Sequence, residues 1–110
     1  NMKEYNTPYD EFGCEHSAGW YGLVYPIIFD IEEYNKTHPD KSQQIEIFQI
    51  KEKFGELCIY LDNAPEDIKK KVRKAEELSK KICEVCGSPI DVVTYSKNGW
   101  IRTRCKDCKI

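Results

Sequence analysis

Apolar and polar residues alternate in different ways along this chain, and the change of pattern marks its elements. Residues 3–16, "KEYNTPYDEFGCEH", keep no period, so residues 1–16 read as an irregular N-terminal segment. From about Ser17 apolar residues recur at three- and four-residue steps: Trp20, Leu23, Val24, Ile27, Ile28, Ile31 and Tyr34. That is one apolar face of a helix. Pro26 lies inside the pattern, where a missing backbone donor predicts a kink or a helix start. "NKTHPDKSQQ" then reads as a loop.

The next stretch, "IEIFQIKEKFGELCIYLD", is dense in β-branched and aromatic residues and has Gly55 in its middle. It predicts two antiparallel strands, 44–51 and 56–62, around a turn near Phe54-Gly55. In the second strand Leu57, Ile59 and Leu61 share one face, and Cys58 and Tyr60 the other. A second helix follows "DNAPED". Pro65 suits its first turn, and Glu66 and Asp67 suit the positive end of its dipole. Its apolar stripe is narrow: Ile68, Val72, Ala75, Leu78 and Ile82. The stripe is expected to pack on the sheet, with the helix running straight into Cys83.

At Cys83 the periodic pattern gives way to cysteines. Cys83 and Cys86 form one Cys-x-x-Cys pair and Cys105 and Cys108 another, with residues 87–104 between them. This is the spacing of a four-cysteine zinc site, in which two knuckles complete a tetrahedron. Gly87 follows the first knuckle, where a positive φ is often required. "DVVTY" and "WIRTR" read as strands joined by a "SKNG" turn, so the segment predicts a zinc ribbon. A disulfide framework suits small secreted chains, and no signal peptide is visible at the start of this one. A redox Cys-x-x-Cys is normally single and set in a βαβ context. Four thiolates leave no open position for water or substrate, so one structural Zn2+ is expected. About thirty residues bury too little apolar surface to fold alone. Zinc can supply on the order of 10–16 kcal/mol of apparent binding energy to such a piece.

These readings combine into an α+β fold: residues 17–82 form a small helix/β-hairpin/helix core, and residues 83–110 form the ribbon. A third strand from another segment would fit the hairpin. The longest apolar runs fall far short of a membrane span, so no membrane partner is expected. The thiolates fit a reducing, cytoplasmic location. The net charge of −2 conceals a division. Residues 1–64 carry five Lys/Arg against twelve Asp/Glu, which is −7; residues 65–110 carry twelve against seven, which is +5. A zinc held by four thiolates cuts that excess to about +3. This is modest for a surface that binds duplex nucleic acid.

The series "AGWYGLV", "IKEKFGELCIYLD", a charged helix, "CEVCGSPI" and "GWIRTRCKDC" resembles a family of small uncharacterised proteins from bacteria and their phages. The resemblance spans residue 18 to the C-terminus and implies a setting but no mechanism. Some relatives carry His at the position of Cys108, a like-for-like zinc ligand.

Other candidate chemistry is sparse. Cys14-x-His16 is a metal half-site that Cys58 or His38 could complete, and the alternative is a polar loop beside a thiol on a strand. A thiol-dependent enzyme would need His16 or His38 to meet Cys58 in space. No motif specifies a reaction, so a non-enzymatic role is expected. On the last strand Trp100, Arg102 and Arg104 fall on one face by period two, with Lys97 in the adjacent turn and Lys106 and Lys109 beside the last cysteines. Such a face can anchor a protein partner. It can also stack a base and clamp phosphates, which would make the chain a weak single-stranded nucleic-acid binder. In the blander alternative Trp100 covers the ribbon's own core and the arginines are solvated. The expected function is a zinc-binding interaction module whose partner is a protein.

Overall fold

A computed structural model describes residues 18–110 and the backbone of Cys14–Glu15. Strand β1 (Cys14–Glu15) is followed by a 3-10 turn (Ala18–Trp20), helix α1 (Tyr21–Thr37) and a second 3-10 turn (Lys41–Gln43). Strands β2 (Glu46–Lys53) and β3 (Glu56–Asp62), helix α2 (Glu66–Ser79) and strands β4 (Val92–Lys97) and β5 (Trp100–Cys105) complete the order. The fold is α+β, as the pattern predicts, with the four ribbon cysteines grouped at the C-terminal end. One sheet has the order β1-β2-β3, and β4-β5 forms a separate hairpin. The third strand of the first sheet is β1, which pairs parallel with β2 at Ile50 and Lys51.

Helix α1 runs through Pro26 and starts well before it. The start that Pro26 suggested is therefore corrected. The proline forfeits one bond, to the Gly22 carbonyl, at a cost of about 3 kcal/mol. Val24, Ile27, Ile28 and Ile31 are buried around it, and each contributes about 1.5–3 kcal/mol, so burial wins. The helix end is closed by side chains. Asn35 clamps the backbone of Ile45 with both halves of its amide, at 2.9 and 3.1 Å. Strand β2 consequently begins at Glu46, later than the pattern suggested.

Phe48 is a bulge in β2: Ile47 pairs with Leu61 and Gln49 with Tyr60. The extra residue reverses which side chains point inward. Ile45, Ile47 and Ile50 are thereby all buried, although strict alternation would turn Ile50 out. Strand β3 follows its predicted alternation, with Leu57 and Ile59 buried. Its outer edge is covered by α2. The Ser79 hydroxyl accepts the Leu57 N–H at 3.0 Å, and the Glu76 carboxylate accepts the Ile59 N–H at 3.0 Å. Two edge donors open to another strand are thus satisfied internally.

Helix α2 does not reach Cys83. It ends at Ser79, and i→i+3 bonds from Lys81 to Leu78 and from Ile82 to Ser79 tighten the exit. Its buried stripe is Ile68, Val72, Ala75 and Ser79; Leu78 and Ile82 are half-buried. Trp20 is fully buried, and its indole N–H donates to the Ile82 carbonyl at 3.0 Å.

Both hairpins close on two residues with positive φ: Phe54 and Gly55 (54° and 79°), and Asn98 and Gly99 (54° and 84°). These are the turns whose twist matches that of the strands they join. The first tip presses on the second hairpin. Thr103 is fully buried and donates its hydroxyl to the Gly55 carbonyl at 2.5 Å. A Cβ on Gly55 would lie within 3.0–3.3 Å of Thr103, Ile101 and Thr94.

Candidate metal centre

The two knuckles are built mainly by backbone hydrogen bonds. In the first, the Gly87 N–H donates to the Cys83 carbonyl at 2.9 Å and the Cys83 N–H to the Ser88 carbonyl at 2.8 Å. Gly87 has φ 81°, the conformation glycine adopts at least cost. In the second, the N–H groups of Cys108 and Lys109 both donate to the Cys105 carbonyl. Glu84 joins the knuckles to β5. Its N–H donates to the Thr103 carbonyl at 2.9 Å, and its buried carboxylate accepts the Thr103 N–H at 2.7 Å.

This framework brings the Sγ atoms of Cys83, Cys86, Cys105 and Cys108 within 4.8 Å of one another. Cys86 and Cys105 are 3.6 Å apart. A regular tetrahedron with metal–sulfur bonds of about 2.3 Å has edges of about 3.8 Å. The cluster therefore has the size of a four-thiolate metal site, and the four residues can hold one ion. Cys83 and Cys105 are buried, Cys108 is half-buried and Cys86 is exposed.

The thiols titrate unequally. Burial pushes Cys83 up, but the N–H groups of Cys86, Cys105 and Val85 overcome it and hold Cys83 at about 6. The hydrogen bond with Cys105, followed by burial, pushes Cys108 up to about 12. At Cys86 the Ser88 N–H lowers the value, yet the contact with Cys105 and burial leave it raised. Cys83 is held toward its thiolate while Cys86 and Cys108 resist ionising, which is the behaviour a cation relieves.

The predicted partner face is only partly presented. Lys97 and Trp100 are ladder partners and both are exposed. Trp100 is 68% exposed, so it does not cover a ribbon core. Arg102 and Arg104 are half-buried, each with a buried, unpaired Nε. Arg104 is turned to the framework: it donates to the Cys108 carbonyl at 3.4 Å and lies 3.9 Å from the Glu84 carboxylate. Trp100 instead lines a cleft of about 310 Å3 with Phe54 and Ile101, and Phe54 is itself 68% exposed.

No motif in the sequence singles out Phe54 as lining this cleft, although a bulky side chain in a two-residue turn that needs two positive φ values is a signal. Gly19 had none. Its N–H donates to the Glu84 carbonyl at 2.8 Å, and a Cβ there would sit 2.1 Å from the Cys83 carbonyl oxygen.

The side chains of Cys14 and His16 lie outside the described residues. His38 stacks on Tyr34 with centroids 3.9 Å apart and bonds the Tyr34 carbonyl at the end of α1. Burial pushes the Cys58 thiol up, with Glu76 and Glu56 adding to the effect against a Tyr60 hydrogen bond. That is opposite to what activates a nucleophile. The ribbon cysteines are the one metal-type cluster among the described residues, and among these residues no helix is long and apolar enough to cross a membrane. No family model, curated protein or solved structure matches the chain.

Proposed function

We propose that the chain is a non-enzymatic interaction module in which one structural zinc, held by Cys83, Cys86, Cys105 and Cys108, fixes a ribbon on a small α+β core. The observation that carries this reading is the grouping of four thiols within 4.8 Å. Protein sulfur fills every position of a tetrahedron, so no site is left for substrate. Four sulfurs suit zinc or iron. The ribbon spacing and the structural role favour zinc, and a reducing, cytoplasmic setting keeps the thiols available.

The partner surface in this reading is the cleft between Phe54 and Trp100. Phe54 holds a left-handed backbone at φ 54° and leaves most of its ring in water. That conformation costs about 1–2 kcal/mol in a residue other than glycine, and the exposed ring returns little of it to folding. Strained and exposed aromatics of this kind are characteristic of binding sites. A protein partner is favoured over single-stranded nucleic acid because Arg104 is committed to the Glu84 and Cys108 framework.

Elemental analysis of the chain purified without added metal tests the first half: one zinc per chain is expected, and iron or no metal would reject it. Phe54→Asn tests the second. Asn suits the turn better than Phe, so zinc content and thermal midpoint should hold or improve. Trp100→Ala should likewise leave zinc bound. Both variants should lose the partner retained by the parent protein. If both keep it, or if the parent binds single strands at micromolar affinity in physiological salt, the assignment of the cleft to a protein is wrong.

A further inference from the structure

Helices α1 and α2 leave a groove of about 550 Å3 between them. Its origin is in the sequence. Gly22 and Pro26 stand one turn apart on α1, and Ala75 faces them from α2, so neither helix raises a ridge there. Leu23, Ile27 and Leu78 supply an apolar floor. Beside Gly22 and Pro26 runs a second row on α1, Tyr21, Tyr25 and Phe29, which are 38, 44 and 60% exposed. These three stand at the i, i+4 and i+8 positions of one row.

The charged residues lining the groove are three lysines and one aspartate. Lys71 is neutralised by Asp30 at 2.6 Å, a bridge from α2 to α1. Lys70 and Lys74 also line the groove, they are exposed, and no acidic side chain among the described residues pairs with either. They lie at i and i+4, one turn apart. An apolar trough with two unmatched cations along one wall complements a ligand that is apolar on one side and anionic on its flank.

We infer that this groove is a docking site for an acidic amphipathic helix of a protein partner. The lining residues span Gly22 to Asp30 on α1 and Lys70 to Leu78 on α2, a length of about 12 Å at 1.5 Å per residue, or roughly two helical turns. A helix laid along it places apolar residues at i, i+3, i+4 and i+7 on the floor. Carboxylates spaced one turn apart then meet Lys70 and Lys74. A phosphodiester backbone would match the lysines but leave the apolar floor uncovered, so it fits less well. The groove belongs to the helix pair and uses none of the metal ligands, so this inference and the zinc assignment fail separately.

The probe is a synthetic peptide of about fourteen residues, long enough to sample helix, with leucines at i, i+3, i+4 and i+7 and glutamates elsewhere. Titrated into the 110-residue, metal-loaded chain, it should shift amide resonances of α1 and α2 along the groove and leave those of the ribbon in place. Lys70→Glu with Lys74→Glu should weaken binding by roughly tenfold or more. Both positions are exposed, so the fold should persist, as far-UV circular dichroism will show. The same peptide with serine for leucine, or with lysine for glutamate, should not bind. The inference is overturned if the serine or lysine peptide binds as well as the original, if the double variant binds undiminished, or if the shifts map elsewhere. It is also overturned if sedimentation shows a dimer that the double variant abolishes, because the occupant would then be a second copy of the chain.

Discussion

The core and the ribbon are stabilised by different means, and their buried residues show it. In the helix–sheet core the buried set is almost entirely aliphatic, around Trp20, Val24, Ile50 and Leu57. In residues 83–110 the buried residues are two cysteines, Glu84 and Thr103. Val85, Ile90, Val93, Trp100 and Ile101 all remain exposed there. The core excludes water from apolar surface, whereas the ribbon leaves most of its apolar side chains exposed. It docks onto the core by polar contacts at Gly19 and Gly55, and its four grouped thiols can hold one metal ion. A region without an apolar interior can still hold one shape if its ligands and backbone donors are all used.

The strongest break in this comparison is Cys105→Ser. It removes one thiol of the proposed zinc site, where binding energy is also folding energy. Zinc content should fall to near zero, and amide resonances of residues 83–110 should collapse toward random-coil positions. The helical far-UV signal should survive, since the aliphatic cluster is intact. Its thermal midpoint should drop, because Gly19 and Gly55 lose their ribbon partners. Simultaneous loss of all helix at room temperature would show that the core cannot stand without the ribbon.

Gly19→Ala strikes the joint between the two regions. The new methyl cannot fit 2.1 Å from the Cys83 carbonyl, and backbone displacement of this kind costs typically 1–3 kcal/mol or more. Chemical denaturation should report that loss, with zinc affinity falling because the first knuckle shifts. An unchanged midpoint would mean that the 3-10 turn moves aside freely.

The smallest effect sharpens the comparison from the core side. Burial raises the Glu76 carboxyl above its ordinary 4.5; the Ile59 N–H opposes this, and Glu56 adds to it. A carboxyl raised by folding binds its proton more tightly in the native state. Its contribution to stability is therefore greatest at low pH and is lost as pH rises through the raised value. Glu76→Gln keeps an oxygen for the Ile59 N–H and removes the charge. The variant should be at least as stable as the parent near neutrality, with a flatter dependence on pH above 4.5, read from urea midpoints. A steep loss at every pH would assign Glu76 a larger structural role than this bond.

Much of this molecule is determined locally and is legible in the sequence. The helical face from Trp20 to Ile31 follows from a 3.6-residue period. The turn at Phe54-Gly55, the alternation of β3 and the four-cysteine cluster each follow from spacing over a few residues, because local geometry fixes where neighbouring side chains point. What the sequence left undecided lies between residues far apart along it. Gly19 meets Glu84, Thr103 meets Gly55, Ser79 and Glu76 cover β3, and Arg104 turns inward to Glu84 instead of outward to solvent. The bulge at Phe48 belongs with these, since the strand slips by a residue only to bring Ile50 onto a core that other elements supply. No periodicity records such choices. They are made when preformed elements pack and every buried donor must find an acceptor.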